Sequence, residues 1–463
     1  MGKAAVEMSD RTYLAFDIGA TSGRAILGTD RGGGIELEEI YRFPNGPVTD
    51  EEGAFWDVEG LFESMLEGMR RVAGRGIEPR AIGIDTWGVD FGLLDGSGDL
   101  LKRPRSYRDP RIAGASRRVV ERIGAQRLQD RTGSMHQDHA SLCQYLVLAE
   151  REPQLLAKAA GIAFIPDLLR YWLCGCRDTD VTFVSTAQMY DVPKRQWAAD
   201  ILAALGLRTD ILPEVQIAPA VAGVLSESVR GATGLGPVPV VIGAGHDTGA
   251  AFGICRGGGL PPVEDLAVIS SGTWSILGVF VDAHLPPGSL DPTRFGYEAN
   301  PDGSLRIVSN LTGGWLIEQC RKVWQVRGVD CSYEALIAAA RTAAGTKGAS
   351  AVLDTAWEGF TRPADMTIAV ARHCAETGQP APTTPGEFAQ VIFASLAESY
   401  ARRIAELRQK TGRPLRNLYM IGGMSRNEYL NELTAARAGV NVIAGPAEAA
   451  AMGNVATQIE ATR

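Results

Sequence analysis

The segment Val240-Val-Ile-Gly-Ala-Gly-His-Asp-Thr-Gly249 ends a β-branched run in glycines and presents His246 and Asp247 at its mouth. A strand fixes such an acid while the turn exposes it, which is the placement a general base needs. Three further segments, 13–24, 268–275 and 418–427, each join a strand-like run to a turn of glycine and hydroxyl residues. Turns of this composition let backbone N–H groups approach phosphate oxygens. A carboxylate accompanied by phosphate-type loops points to phosphoryl transfer.

In Asp17-Ile-Gly-Ala-Thr-Ser-Gly-Arg24, Thr21 and Ser22 supply hydroxyls, Arg24 a fork of donors, and Asp17 a carboxylate suited to orienting a magnesium-bound water. The same residues also make an ordinary glycine-rich hairpin with a surface arginine, and the segment alone does not choose. The chain lacks GxxxxGK[ST], so it is not a P-loop enzyme. Ile82 to Phe91 places Asp85 and Asp90 around a Trp-Gly corner, a mixture suited to a polyol; alternatively Asp85 caps a turn and Trp87 fills the core. Gly243 to Gly249 resembles a dinucleotide fingerprint, but Pro261-Pro-Val-Glu-Asp offers no second strand ending in the acid that fingerprint requires. In Tyr419 to Asn427, Gly422 and Gly423 leave backbone bare enough for an adenine or ribose to lie on, or serve a helix–strand turn.

These segments need a frame. Strand patterns at 13–17, 25–27, 35–43 and 81–94 surround a helical pattern at 59–73, giving the order strand, strand, strand, helix, strand. Residues 112–175 are mainly helical in pattern; helices at 332–344 and 386–410 precede a strand at 417–421 and a helix at about 427–438. Ala267 to Gly278 echoes the strand, turn, strand plan of residues 15–28, so the second half reads as a copy of the first, with the boundary near Leu235 to Pro239. With 463 residues the chain is too long for one core, and two α/β domains is the expectation.

A hydrophobic fraction of 45% and a charged fraction of 22% are those of a globular protein, and a net charge of −8 without a basic stripe argues against nucleic acid as partner. The seven cysteines show neither CxxC spacing nor the density of a disulfide scaffold. A polar N-terminus and the lack of a run of about 18 apolar residues predict a cytoplasmic protein that does not span a membrane.

Taken in order, Phe16-Asp-Ile-Gly-Ala-Thr-Ser-Gly-Arg24, Ile84-Asp-Thr-Trp-Gly-Val-Asp-Phe91, Tyr107-Arg-Asp-Pro-Arg111, His246-Asp-Thr248, Ser270-Ser-Gly-Thr-Trp-Ser275 and Val442-Ile-Ala-Gly-Pro-Ala-Glu448 resemble the FGGY family of carbohydrate kinases over nearly the whole chain. The resemblance implies an α/β fold of two duplicated actin-like, ribonuclease H-like ATPase domains flanking a cleft, at 10–238 and 239–463. It implies that Ala20, Thr21, Ser22, Gly23, Arg24 and Thr273 contact the phosphates of ATP and that Gly423 lies against the adenosine. Gly88, His246, Asp247, Thr248 and Asn310 would meet the sugar, with Asp247 as base. Mg²⁺ would accompany ATP, Asp17 acting on it through water. Two positions depart from the pattern: Glu318 stands where a glutamine is expected near the nucleotide, and Met424 where a third glycine is expected. The motifs are most similar to members acting on L-rhamnulose, which implies phosphorylation at O1. L-fuculose, D-xylulose or another polyol is the alternative acceptor, and an actin-like filament or chaperone ATPase is the alternative class. The expected partners are a ketose and ATP, with no nucleic acid and no membrane, for a monomer or homodimer.

Overall fold

The computed structural model describes residues 11–463 apart from 33, 257, 258 and 362. Two compact units emerge, the first from Met1–Ile254, Asp282–Arg306 and Ala450–Arg463, the second from Cys255–Val281 and Ile307–Ala449. Compactness thus divides the chain at points other than 238/239: Asp247 and the C-terminal residues lie in the first unit.

The first unit is built on strands β1 (Arg11–Ile18), β2 (Ser22–Asp30), β3 (Ile35–Pro44), β4 (Ile82–Thr86), β5 (Ala220–Val224) and β6 (Pro239–Ile242), in the order β5-β6-β4-β1-β2-β3. β1, β2 and β3 are antiparallel neighbours, while β4 runs parallel to β1 and to β6. The pairing puts Asp17 opposite both Arg24 and Asp85, so one register gathers three charges at one end of the sheet.

Nearly all of β1 is buried because both faces are covered. Leu14, Phe16 and Ile18 point into a cluster with Leu61, Met65 and Met69 of helix α1 (Val58–Gly74) and with Leu168 and Leu169 of α2 (Ile165–Cys174). Their neighbours Tyr13 and Ala15 point the other way, onto Val455 and Ile459 of the C-terminal helix, as the two-residue period of a strand demands. Asp57 caps α1 by accepting from Gly60 N at 3.0 Å. Gly68 lets α1 settle on the sheet: a Cβ there would stand 2.8 Å from the Ala25 methyl.

In the second unit β7 (Leu266–Ser271), β8 (Trp274–Val281), β9 (Leu305–Thr312, from Ile307 onward), β10 (Asn417–Ile421) and β11 (Asn441–Ala444) lie in the order β9-β8-β7-β10-β11. β7 and β8 are antiparallel, and β10 is parallel to both β7 and β11. This repeats the β3-β2-β1-β4-β6 plan of the first unit, so the echo between residues 15–28 and 267–278 is an echo of topology. Helices α4 (Trp315–Val326), α5 (Tyr333–Ala343), α6 (Pro385–Thr411) and α7 (Glu428–Ala438) complete the unit. α6 starts at a full capping box between Thr384 and Glu387, with Pro385 in the first turn, and stops at Gly412 in the left-handed conformation. The last helix, α8 (Ala449–Ala461), returns the chain to the first unit. Among the described residues no helix is long and apolar enough to cross a membrane.

The helices expected at 59–73, 332–344, 386–410 and 427–438 form within a residue or two of those limits, the strand expected at 25–27 extends over Ser22–Asp30, and the largely helical stretch 112–175 includes a strand at Gly161–Phe164. The β run at 81–94 is interrupted: it forms β4 and a second strand, Phe91–Leu94, separated by a corner in which Val89 has φ +76°.

Candidate active site

After β6, the chain turns through Gly243 to Gly245 and starts helix α3 (Asp247–Gly253). The glycines are required by packing, since a Cβ on Gly245 would lie 2.4 Å from Asp180 Oδ2 and one on Gly243 2.8 Å from Thr457 Oγ1. The turn is fastened on two sides. Gly245 O accepts from Thr86 N at 2.8 Å, while Gly245 N donates to Asp180 Oδ2 at 3.0 Å and His246 N to Thr182 Oγ1 at 3.3 Å. Asp180 is fully buried and its carboxyl is pushed up by desolvation, against hydrogen bonds from Thr182 and Gly245.

This fastening delivers Asp247 in a particular way. Oδ1 accepts from Thr248 N at 2.5 Å and Thr248 Oγ1 at 3.1 Å, and lies 3.4 Å from His246 Nε2. Oδ2 takes none of the described hydrogen bonds, and the side chain is 35% exposed. The protein therefore occupies one carboxylate oxygen and leaves the other to solvent or substrate. Gly88 closes the same corner, for a Cβ there would stand 3.3 Å from His246 Cδ2 and Nε2 and 3.4 Å from Thr186 Oγ1. Gly88, His246, Asp247 and Thr248 thus lie together at one corner.

At the β1–β2 turn, Gly19 N donates to Ser22 O at 2.9 Å, and Asn45 reaches Gly19 O with its side chain at 2.8 Å. Ala20, Thr21 and Ser22 form the half-exposed to exposed tip. Gly23 has a different role from that of its neighbours: its missing side chain makes room for Phe43, whose ring would be 2.1 Å from a Cβ. Arg24 Nη2 is tied to Asp17 Oδ2 at 2.5 Å.

Asp85, beside Asp17 in the sheet, is fully buried. Oδ2 accepts from Asn454 Nδ2 at 2.6 Å and Oδ1 has no hydrogen-bond partner. Burial first, then the charge of Asp17, raise its carboxyl well above the ordinary range, while the Asn454 bond opposes them.

The Trp-Gly corner does not offer a carboxylate and an aromatic face to a polyol. Asp90 is fully buried, and its oxygens accept from Trp56 Nε1 at 2.5 Å, Trp87 Nε1 at 2.9 Å, Tyr107 N at 3.2 Å and Gln144 Nε2 at 2.8 Å. Trp87 is packed against Trp56, ring centroids 4.0 Å apart. Desolvation pushes Asp90 up to about 6 in spite of these bonds. Trp87 is a core residue, and the corner's service is to hold Gly88 against His246.

In the second unit, Thr273 is exposed at the β7–β8 turn, where Gly272 N donates to Trp274 O at 2.8 Å. Gly314 N and Trp315 N close on this turn through Gly272 O and Thr273 O at 2.7 and 3.2 Å. A Cβ on Gly313 would stand 2.6 Å from Gly272 O, so the Gly313-Gly314 pair is part of the loop. At the end of β10, Gly422 adopts φ +84° with a Cβ position 2.7 Å from Ser271 O, whereas a Cβ on Gly423 would meet nothing within 4 Å. Gly423 therefore offers open backbone, and buried Met424 turns its sulfur toward Gly314. Asn310 is exposed on β9. Glu318 is engaged by Arg321 Nη1 at 2.7 Å and by the Tyr333 hydroxyl, an acceptor already satisfied where a glutamine would present a donor as well.

The N-terminal domain of the FGGY family of carbohydrate kinases matches residues 12–253 and its C-terminal domain residues 267–461. The chain belongs to this family. It is 38% identical over 449 residues to a rhamnulokinase of Bacteroides thetaiotaomicron, covering 97% of this chain and 90% of that one. To a rhamnulokinase of Halalkalibacterium halodurans it is 35% identical, covering 96% and 92%. The fold matches the crystal structure of a xylulose kinase from Rhodospirillum rubrum with a TM-score of 0.78 at 17% identity, over 97% and 89% of the two chains. The protein is accordingly a sugar kinase with two α/β domains of the actin-like fold, acting on a sugar and ATP.

For an FGGY kinase the residues that sequence reading missed are as informative as those it found. Asp180 and Thr182 fix the loop that carries His246, and an aspartate before Val181-Thr-Phe-Val184 is a readable helix cap. Asn454 and Gln458, four apart on a largely apolar C-terminal helix, form a buried polar chain in which Gln458 Nε2 donates to Asn454 Oδ1 at 2.7 Å and to Leu14 O at 3.1 Å. Glu298 and Arg306, which lie behind His246, carry no sequence signal at all.

Proposed function

We propose that this FGGY kinase transfers the γ-phosphoryl group of Mg-ATP to O1 of L-rhamnulose, giving L-rhamnulose 1-phosphate and ADP. The observation that carries the mechanism is the asymmetry of Asp247, whose Oδ1 holds every described protein contact while Oδ2 holds none. Oδ2 accepts the proton of the sugar hydroxyl as that oxygen bonds to the γ-phosphorus and the bond to the bridging oxygen of ADP breaks. The support for L-rhamnulose is the name shared by the two full-length relatives.

Mg²⁺ arrives as part of the nucleotide substrate. Asp17, at the end of β1 with its carboxylate near the phosphate-type turn, would act on it through water, and buried Asp85 beside it would support Asp17 from the neighbouring strand. The exposed tip Ala20 to Ser22, with Arg24 and Thr273, would face phosphates, and open Gly423 the adenosine. Positioning and charge neutralisation supply most of the acceleration in a loose phosphoryl-transfer transition state, so the base accounts for part of it.

The test is ADP release with Mg-ATP across L-rhamnulose, L-fuculose, D-xylulose, L-ribulose and glycerol. Selective turnover of L-rhamnulose is expected; preference for another ketose would overturn the substrate, and hydrolysis indifferent to sugar would overturn the reading as a whole. Asp247→Asn should lower turnover by about 10²-fold or more while leaving the melting temperature and ATP binding intact.

A further inference from the structure

His246 is 8% exposed, and its Nδ1 is a buried polar atom without a hydrogen-bond partner. The nearest complementary group is Glu298 Oε2, at 4.0 Å, on the strand Gly296–Ala299. That carboxylate is held from behind by Arg306, whose side chain is fully buried and whose Nη2 donates to the same oxygen at 2.6 Å. Arg306 is itself fixed, its Nη1 donating to Ala299 O at 2.7 Å and to Asn300 Oδ1 at 2.8 Å. Its guanidinium lies over the Phe252 ring, 4.9 Å from the centroid. Phe252 belongs to α3, the helix that begins with Asp247, so the same arginine ties together the acid behind the imidazole and the helix that bears the base.

An ion pair of this kind would by itself fasten a strand to a helix. It does not explain why the carboxylate comes to rest opposite the ring nitrogen that is buried without a hydrogen-bond partner. An orphaned buried donor or acceptor costs about 1–3 kcal/mol, and histidines in reaction centres generally have their second nitrogen held by a carboxylate or carbonyl that fixes tautomer and ring orientation. Contacts of that type are often long in the unliganded enzyme and tighten in the complex.

We propose that Glu298 is the positioning residue of His246: it accepts the Nδ1 proton, fixes the tautomer, and so presents Nε2 as the ring atom facing Asp247 and the sugar. Arg306 holds the carboxylate in place. The assignment deepens the reading of His246 and Asp247 as the sugar-side site and rests on it. In the resulting chain Arg306 restrains Glu298 and Glu298 restrains His246, whose bare Nε2 is left to accept from a sugar hydroxyl, while Oδ2 of Asp247 remains the base.

The decisive experiment is ¹⁵N NMR of [¹⁵N]histidine-labelled enzyme, which has five histidines, with and without sugar, on wild type and Glu298→Gln. Glutamine keeps the shape and gives Arg306 an oxygen but removes the charge that holds the Nδ1 proton. The expected result is a protonated His246 Nδ1 in the sugar-bound wild type, a shift of that resonance alone in the variant, and kcat/KM for the sugar lowered about 10- to 100-fold with KM for Mg-ATP within twofold. A bare Nδ1 in wild type, or superimposable His246 resonances in the two proteins, would overturn the assignment. If Glu298→Gln does not fold, the wild-type spectrum alone decides. Failure of the base assignment would show separately, as full turnover by Asp247→Asn, and would leave the His246 spectrum unchanged.

Discussion

Gly88→Ala isolates the geometry of the candidate sugar side from the stability of the fold. Gly88 lacks the positive φ that would bar a side chain, so alanine fits the backbone. The added Cβ would lie 3.3 Å from both Cδ2 and Nε2 of His246 and 3.4 Å from Thr186 Oγ1, inside ordinary van der Waals separation by a few tenths of an ångström. The imidazole must give way, because Thr186 Oγ1 is held by Phe183 O at 2.8 Å. Retreat moves Nε2 relative to Asp247 Oδ1, now 3.4 Å away. Misplacement by about 1 Å costs roughly 10² in rate, so a few tenths should cost about tenfold in kcat/KM for the sugar, near 1.4 kcal/mol. Stability should change by less than about 1 kcal/mol, since alanine's smaller unfolded-state entropy offsets a tight contact. Sugar-dependent initial rates at saturating Mg-ATP, paired with thermal melts, read both quantities. A kcat/KM within twofold of wild type would refute the role given to Gly88, and a loss accompanied by a melting drop above about 6 °C would assign it to packing instead.

Asn454→Ala should destabilise by about 2–3 kcal/mol, because it leaves both oxygens of buried Asp85 without partners and removes an acceptor from Gln458; an unchanged urea midpoint would count against the network. Asp90 gives a pH signature. Its folded pKa of about 6 lies above the ordinary carboxyl value of 3.8, so the folded chain retains a proton that the unfolded chain has lost. The stability from this group is complete below about pH 4 and disappears as pH rises through 6, about 3 kcal/mol in all. Denaturation of wild type and Asp90→Asn across pH 4–7 should show the variant without that component, and parallel profiles would refute it.

The frame was legible because its signals are local. The strand-like run at 13–17, the helical spacing at 59–73 and the helical pattern at 386–410 each lie within one element. Asp247 was legible for the same reason, a strand end followed by a helix start. Asn454 could not be connected to Asp85 across 369 residues, nor could Glu298 be matched to His246, because tertiary packing alone brings these pairs together. The Trp87 corner shows a choice that composition leaves open: its residue types suit a sugar or a core, and packing decides for the core, the two indoles giving their N–H groups to Asp90 and lying against each other.

The duplicated frame is used asymmetrically, and the register shows where. In the first unit the parallel pairing of β1 with β4 sets Asp17 beside Asp85, and Asp247 follows the next strand. At the corresponding place in the second unit β7 and β10 pair Ser270 with Ile421, and the strand ends lead into Gly272, Gly313, Gly314, Gly422 and Gly423. Carboxylates clustered at strand ends are costly, as the raised carboxyl of Asp85 shows, and a fold retains such a cost where the charges act on a metal or a proton. Uncharged glycine and hydroxyl turns carry no such penalty and permit close backbone approach, which suits a nucleoside. One topology therefore provides two chemically distinct strand-end surfaces, and the division of acids from glycines supports the proposal that the base belongs to the first unit and the adenosine to the second.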